Sequence, residues 1–262
     1  MIPFSHLLSS IGRDGNDFTV SLSPDWLQGR TAYGGLSAAL CLEAATRYAT
    51  DLPPLRSAQF SFIGPAAGQL TITPSVLRKG KSTIFMGVDV TGEAGLATRA
   101  ILCFGMPRPS ALDHENIPAP DVLGWDESPS FFGDRPAPNF SQHFESRIAG
   151  GARPMTPDAE PEMLLWFRHR DADTPDNAVA LVALADAPPP AAMVLFSAPA
   201  PISTMTWTLD MLTDKPSTTD GRWLIRSAAE TAQGGYSSQA MNIWNADGKP
   251  ILVARQNVAI FF

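Results

Sequence analysis

Chemistry is easiest to place at Gly34-Gly35, which follow Tyr33 and open an Ala- and Leu-rich run from Leu36 to Tyr48 with no internal Gly or Pro. That run reads as a helix buried on most sides. The first turn of a helix leaves backbone N–H groups unpaired at the positive end of the helix dipole. Amides there can stabilise an oxygen that becomes negative, and two residues without a β-carbon allow close approach. Taken alone, the pair reads equally well as the start of a tightly packed helix. Gly35-Leu36-Ser37-Ala38-Ala39 approximates the G-x-S-x-G elbow of serine hydrolases, but Ala39 replaces the second Gly and no alternating parallel βα pattern surrounds it. His6, His114, His143 and His169 have neither an H-E-x-x-H motif nor a paired metal spacing, so no metal and no cofactor is expected. Cys41 and Cys103 lie in apolar segments and suit reduced buried thiols.

These residues need elements to hold them. Phe18, Val20 and Leu22 alternate as in a half-buried strand ahead of the helix. After Pro53-Pro54 the period changes to two, and residues 55–63, 69–77, 82–90 and 96–106 read as strands separated by turns at Gly64-Pro65, Lys79-Gly80 and 92–95. Such short connections favour an antiparallel meander, because a parallel return needs a dozen or more residues. Residues 107–138 are dense in Pro, Asp, Gly and Ser and read as a connection. The pattern then restarts: a strand at 163–170, a helix at 177–187 broken by Pro188-Pro189-Pro190, and strands at 203–212, 223–231, 236–244 and 251–261.

The 262 residues carry 44% apolar content, enough for substantial cores, and a net charge of −7 without a Lys/Arg block that could neutralise a phosphate backbone. Nucleic acid is therefore a poor partner. The first residues lack the cationic flank and apolar run of a signal peptide, and no stretch reaches membrane-spanning length, so a cytoplasmic protein without membrane attachment is expected. The two halves also share local sequence. Residues 57–62, Ser-Ala-Gln-Phe-Ser-Phe, match 204–209, Thr-Met-Thr-Trp-Thr-Leu, and Leu77-Arg78-Lys79 matches Ile225-Arg226-Ser227, as an internal duplication predicts.

On these grounds the chain resembles the TesB-like double hot-dog acyl-CoA thioesterases. The resemblance is carried by Tyr33-Gly34-Gly35-Leu36-Ser37-Ala38-Ala39-Leu40, Pro54-Leu55-Arg56-Ser57, 77–82, Leu209-Asp210, 220–224, 232–236 and Val253-Ala254-Arg255-Gln256. It implies an α+β fold, a double hot-dog with two antiparallel sheets each wrapped around a central helix. Its parts are an N-terminal half at 1–107, a Pro-rich linker at 108–140 and a C-terminal half at 141–262. It also implies hydrolysis of an acyl-CoA substrate to free acid and CoA by a water held between an Asp, a Ser or Thr and a Gln. Transferred to this chain, these are Asp210, Thr231 or Ser227, and Gln256, facing the Gly34 and Gly35 amides.

On sequence alone Asp210 also reads as a strand-ending cap and Gln256 as a satisfied buried amide. Arg56, Arg78, Lys79 and Lys81 can meet the phosphates of CoA or simply be solvated. Two other readings stay open: a hot-dog hydratase or dehydratase, weakened because no His stands at a helix start, and a non-catalytic acyl-CoA-binding module. A homodimer or higher homo-oligomer is expected from edge pairing and apolar faces.

Overall fold

The computed structural model describes residues 1–133 and 136–262. In chain order its elements are α1 (Phe4–Ser9), β1 (Gly12–Asp14), β2 (Asp17–Ser21), β3 (Leu27–Gln28), β4 (Thr31–Ala32), α2 (Gly34–Tyr48), β5 (Leu55–Phe62), β6 (Gln69–Lys79), β7 (Thr83–Gly92) and β8 (Gly95–Gly105). The second half follows with β9 (Phe144–Gly151), β10 (Glu162–His169), α3 (Ala178–Ala185), β11 (Ile202–Met211), β12 (Trp223–Gln233), β13 (Tyr236–Asn245) and β14 (Pro250–Ile260).

The strands form because their apolar residues alternate. In β7, for example, Ile84, Met86, Val88 and Val90 all turn into the core while the residues between them do not. The helices form differently. The α3 run AVALVALA is buried at seven of its eight positions, starts where the Asn177 side chain accepts from the Ala180 amide at 3.0 Å, and gives way to three prolines. In α2 the Ala-rich surface lets the strands approach closely from the sheet.

The expected pair of sheets is instead one continuous antiparallel sheet of 12 strands, in the order β1-β2-β6-β7-β8-β5-β11-β14-β13-β12-β10-β9. The order reads as two mirror-related halves, each with its helix, joined where β5 pairs with β11. Separate sheets would leave β5 and β11 as bare edges, and pairing them satisfies both rows of backbone groups. At this seam Phe60 faces Trp207, the two residues that the sequence repeat had matched to each other. Strand β9 was not visible in the sequence: FESRIAGG holds two glycines, and the strand is an outer one that pairs with β10 alone among the strands.

The Pro-rich segment is more tightly packed than its composition suggests. Ile117, Ala119, Val122 and Trp125 lie with Ala149, Leu164, Trp166, Leu224 and Trp244 on the outer face of the second half's sheet. The indoles of Trp166 and Trp244 donate to the carbonyls of Leu123 and Ile117, both at 2.9 Å. The guanidinium groups of Arg147, Arg168 and Arg222 stand 4.8, 4.8 and 5.2 Å from the Trp125 ring. Of the expected linker, residues 134 and 135 lie outside the described residues.

Two substitutions test this packing. Trp125→Ala removes a buried aromatic surface and the ring under three cations, and is expected to lower the unfolding free energy by about 3 kcal/mol in urea titrations. Gly35→Ala would ordinarily gain about 1 kcal/mol of helix propensity. Here a β-carbon would sit 2.5 Å from the Ala183 carbonyl oxygen of α3. The clash is expected to reverse the sign, to a net loss of about 1–3 kcal/mol, read from the shift in the denaturation midpoint.

Candidate active site

Because residues opposite each other on paired antiparallel strands share a face, the register defines a row across the inner surface of the sheet. Through β7, β8, β5, β11, β14, β13 and β12 it runs Val88, Ala100, Phe60, Trp207, Gln256, Gln239 and Ala229. The duplication makes Ala100 the counterpart of Gln256, and Val88 the counterpart of Gln239. Along this row one half is apolar where the other carries two buried amides. Gln239 and Gln256 are 1% and 4% exposed, deep enough that each amide needs partners.

Those partners are in place. Gln239 Nε2 donates to Gln256 Oε1 at 2.6 Å, and Gln239 Oε1 accepts from the Ala191 amide at 2.8 Å. Gln256 Nε2 donates to the carboxylate of Asp186, the residue that ends α3. Asp186 lies against the start of α2: a β-carbon on Gly34 would come within 2.7 Å of its Oδ2, and one on Gly35 within 3.0 Å of its Cβ. The Tyr33 hydroxyl, from the residue before α2, donates to the Ala183 carbonyl at 3.1 Å and ties the helix ends together. Burial pushes the Asp186 carboxyl up to about 7, against the pull of the Gln256 side chain and the Gly35 backbone amide, which favour the anion. Burial, with the neighbouring Asp186 charge second, also pushes the Tyr33 hydroxyl well above its ordinary range, so it stays a neutral donor.

The arrangement is a carboxyl that exchanges its proton near neutrality, beside a helix start with unpaired amides and an oriented side-chain amide. It can take a proton from water and stabilise a negative oxygen next to it. Around it, Trp207 Nε1 and Ser237 Oγ are buried without a hydrogen-bond partner among the described residues, and both residues lie on strands that border Gln256's strand.

Of the residues expected from sequence, Gly34, Gly35 and Gln256 come together here. Asp210 does not: on β11 the residues Trp207, Leu209 and Met211 point inward, so Asp210 falls on the exposed opposite face, away from Gln256. Thr231 lies past a bulge in β12 and is exposed, its hydroxyl 3.4 Å from the Ser238 amide. Ser227 is buried on the inner face with an unpartnered hydroxyl, but it pairs with Met163 and Met241, two strands from Gln256 and one inward position further along.

The cations Arg56, Arg78, Lys79 and Lys81 gather where β5 begins and β6 turns into β7. That corner lies by the far end of α2, about 20 Å along the helix from Gly34. Arg56 there pairs with Asp214, and Lys79 with Asp51 at 2.8 Å. The residues missed by sequence reading are Asp186 and Gln239. Asp186 had a signal: it is the sole ionisable side chain between Asp176 and Asp210, placed at the end of a helix where the dipole disfavours an anion.

Comparisons with known proteins identify the fold and the family. Residues 22–105 match the model of the acyl-CoA thioesterase N-terminal domain, and residues 115–260 match that of the acyl-CoA thioesterase C-terminal domain. No curated protein matches the chain. Among solved structures, a conserved protein of unknown function with a hot dog fold from Alicyclobacillus acidocaldarius superposes with a TM-score of 0.87 at 24% identity, covering 98% of this chain and 97% of that one. A tesB protein from Mycobacterium avium gives 0.79 at 15% identity, with 98% of each chain covered. The acyl-CoA thioesterase II TesB2 of Mycobacterium marinum gives 0.77 at 16% identity, with 97% of each covered. The fold is that of the hot-dog proteins, and with domain matches over most of its length the chain belongs to the acyl-CoA thioesterase family.

Proposed function

We propose that the thioester hydrolase activity of this family is carried here by Asp186, Gln256 and the α2 start. The observation that supports it is the meeting of a near-neutral carboxyl with the first amides of a helix from the other half. Ionised Asp186 accepts a proton from a water as its oxygen bonds to the thioester carbonyl carbon. The carbonyl oxygen becomes negative and is held at the α2 start by the Gly34 amide, the Gly35 amide being engaged by Asp186. Collapse re-forms the carbonyl, breaks the C–S bond and expels the CoA thiolate, which takes the proton back from Asp186. The products are free acid and CoA, with no covalent enzyme intermediate. Gln256 orients the Asp186 carboxylate throughout. Because the ionised form is the base, turnover rises as pH climbs through about 7.

On this reading the halves are two hot-dog units, residues 1–107 and 141–262, bridged by 108–140. The outer face of the first unit, where Leu77, Phe85 and Ile101 are exposed, is our candidate for self-association. No helix of the described residues is long and apolar enough to cross a membrane, and the free Cys41 and Cys103 fit a reduced compartment such as the cytoplasm.

The test is free-thiol release from short, medium, long and aromatic acyl-CoAs. Asp186→Asn is expected to lower kcat/KM by about 100-fold or more while the fold survives. Asp210→Asn is expected to leave it unchanged. Native turnover in Asp186→Asn would remove Asp186 from the mechanism.

A further inference from the structure

The Gln256 side chain ends in two atoms of similar size and opposite character, and which of them meets Asp186 decides whether the carboxylate gains a donor or faces a carbonyl. The choice is made two residues away. The backbone amide of Ala191, first residue of the short 3-10 turn Ala191–Leu195 that follows the three prolines, can only donate, so the Gln239 atom 2.8 Å from it must be oxygen. That turns Gln239 Nε2 toward Gln256, and since Nε2 can only donate, the Gln256 atom 2.6 Å away must be oxygen as well. Gln256 Nε2 is left to face Asp186. We propose that Gln239 is a positioning residue: anchored by the Ala191 amide, it holds the Gln256 amide in the one orientation that presents a donor to Asp186.

Packing alone does not call for Gln239. At the matching place in the first half the sheet uses Val88 beside Ala100, both buried, and closes around its helix equally well. An amide buried at this depth costs about 1–3 kcal/mol if left unpaired, so its cost is offset only while the whole chain of bonds is intact. The chain also stands apart from other charges. From α2 and the residue before it come the Gly34 and Gly35 backbone and neutral Tyr33; from the sheet come two neutral amides. Among the described residues, Tyr33 is the ionisable group that couples to Asp186. Orientation of one amide is therefore a dominant influence opposing burial. The effect on turnover rests on Asp186 acting as the base; the orientation itself does not.

The experiment is a pH titration of the Asp186 carboxyl carbon by NMR in protein labelled at aspartate side chains, the resonance being identified by its absence in Asp186→Asn. In Gln239→Met, which keeps length without a donor, and in Gln239→Glu, whose carboxylate draws the Gln256 Nε2 toward itself, the midpoint is expected to rise by about one unit. Ala191→Pro offers a route that leaves both glutamines untouched. Pro is tolerated at the first position of a helical turn, and Pro190 already holds the extended ψ of 135° that a following proline demands. This variant removes only the anchoring N–H and is expected to move the midpoint in the same direction by a smaller amount. The acid limb of kcat/KM should follow each midpoint. A midpoint unmoved in folded Gln239→Met and Ala191→Pro would overturn the proposal. A midpoint that moves while the acid limb stays put would uphold the role of Gln239 and count instead against Asp186 as the base.

Discussion

The chemistry of this fold depends on how closely the start of α2 approaches the end of α3. Gly35 is pressed against the Ala183 carbonyl, at a separation that leaves no room for a β-carbon. This contact brings the positive end of one helix dipole to the negative end of the other. Tyr33 donates to the orphan carbonyl at the α3 end, and Asp186 faces the orphan amides at the α2 start, so each helix end supplies what the other lacks. The same arrangement leaves Asp186 only partly open to water, which raises its affinity for a proton, and supplies donors that limit the rise. Reactivity and helix capping thus arise from one contact.

Duplication explains why the contact occurs where it does and why it is exploited once. Two halves with the same element order pair through β5 and β11, which places Phe60 beside Trp207 at the pseudo-symmetric seam, and the start of α2 meets the end of α3. A symmetric origin would provide two equivalent sites. Gln256 and Gln239 in one half stand against Ala100 and Val88 in the other, so along this row one side is polar and the other offers an apolar wall.

Much of the fold was legible because strands β5 to β8 and β11 to β14 alternate cleanly and the turns between them are short. The helix start at Gly34-Gly35 was legible for the same local reasons, whereas Gln256 came from the family resemblance and by itself reads as a satisfied buried amide. The family likeness points to Asp210, whereas the strand period sets the direction of its side chain: Trp207, Leu209 and Met211 face inward, so the residue between the last two faces out. Thr231 was harder, because the β-bulge between Ala229 and Thr231 shifts the alternation and no periodicity in the sequence announces it. β9, with its glycines and its place at the sheet's edge, carries little pattern to read.

Asp186 was hidden by a different cause. Within AVALVALADAPPP it stands at a helix C-terminus, where the local dipole disfavours a carboxylate by roughly 0.3–1 kcal/mol, and where apolar neighbours add desolvation. Every local consideration argues for a small neutral residue there. What makes the position tenable is supplied from distant parts of the chain: the α2 amides lie about 150 residues earlier in sequence and Gln256 lies 70 later. A residue that violates local preference and is satisfied only by tertiary partners is what a functional group looks like before the fold is known. The lone charge in a long uncharged run was the legible part; the identity of its partners required the register of β11, β14 and β13.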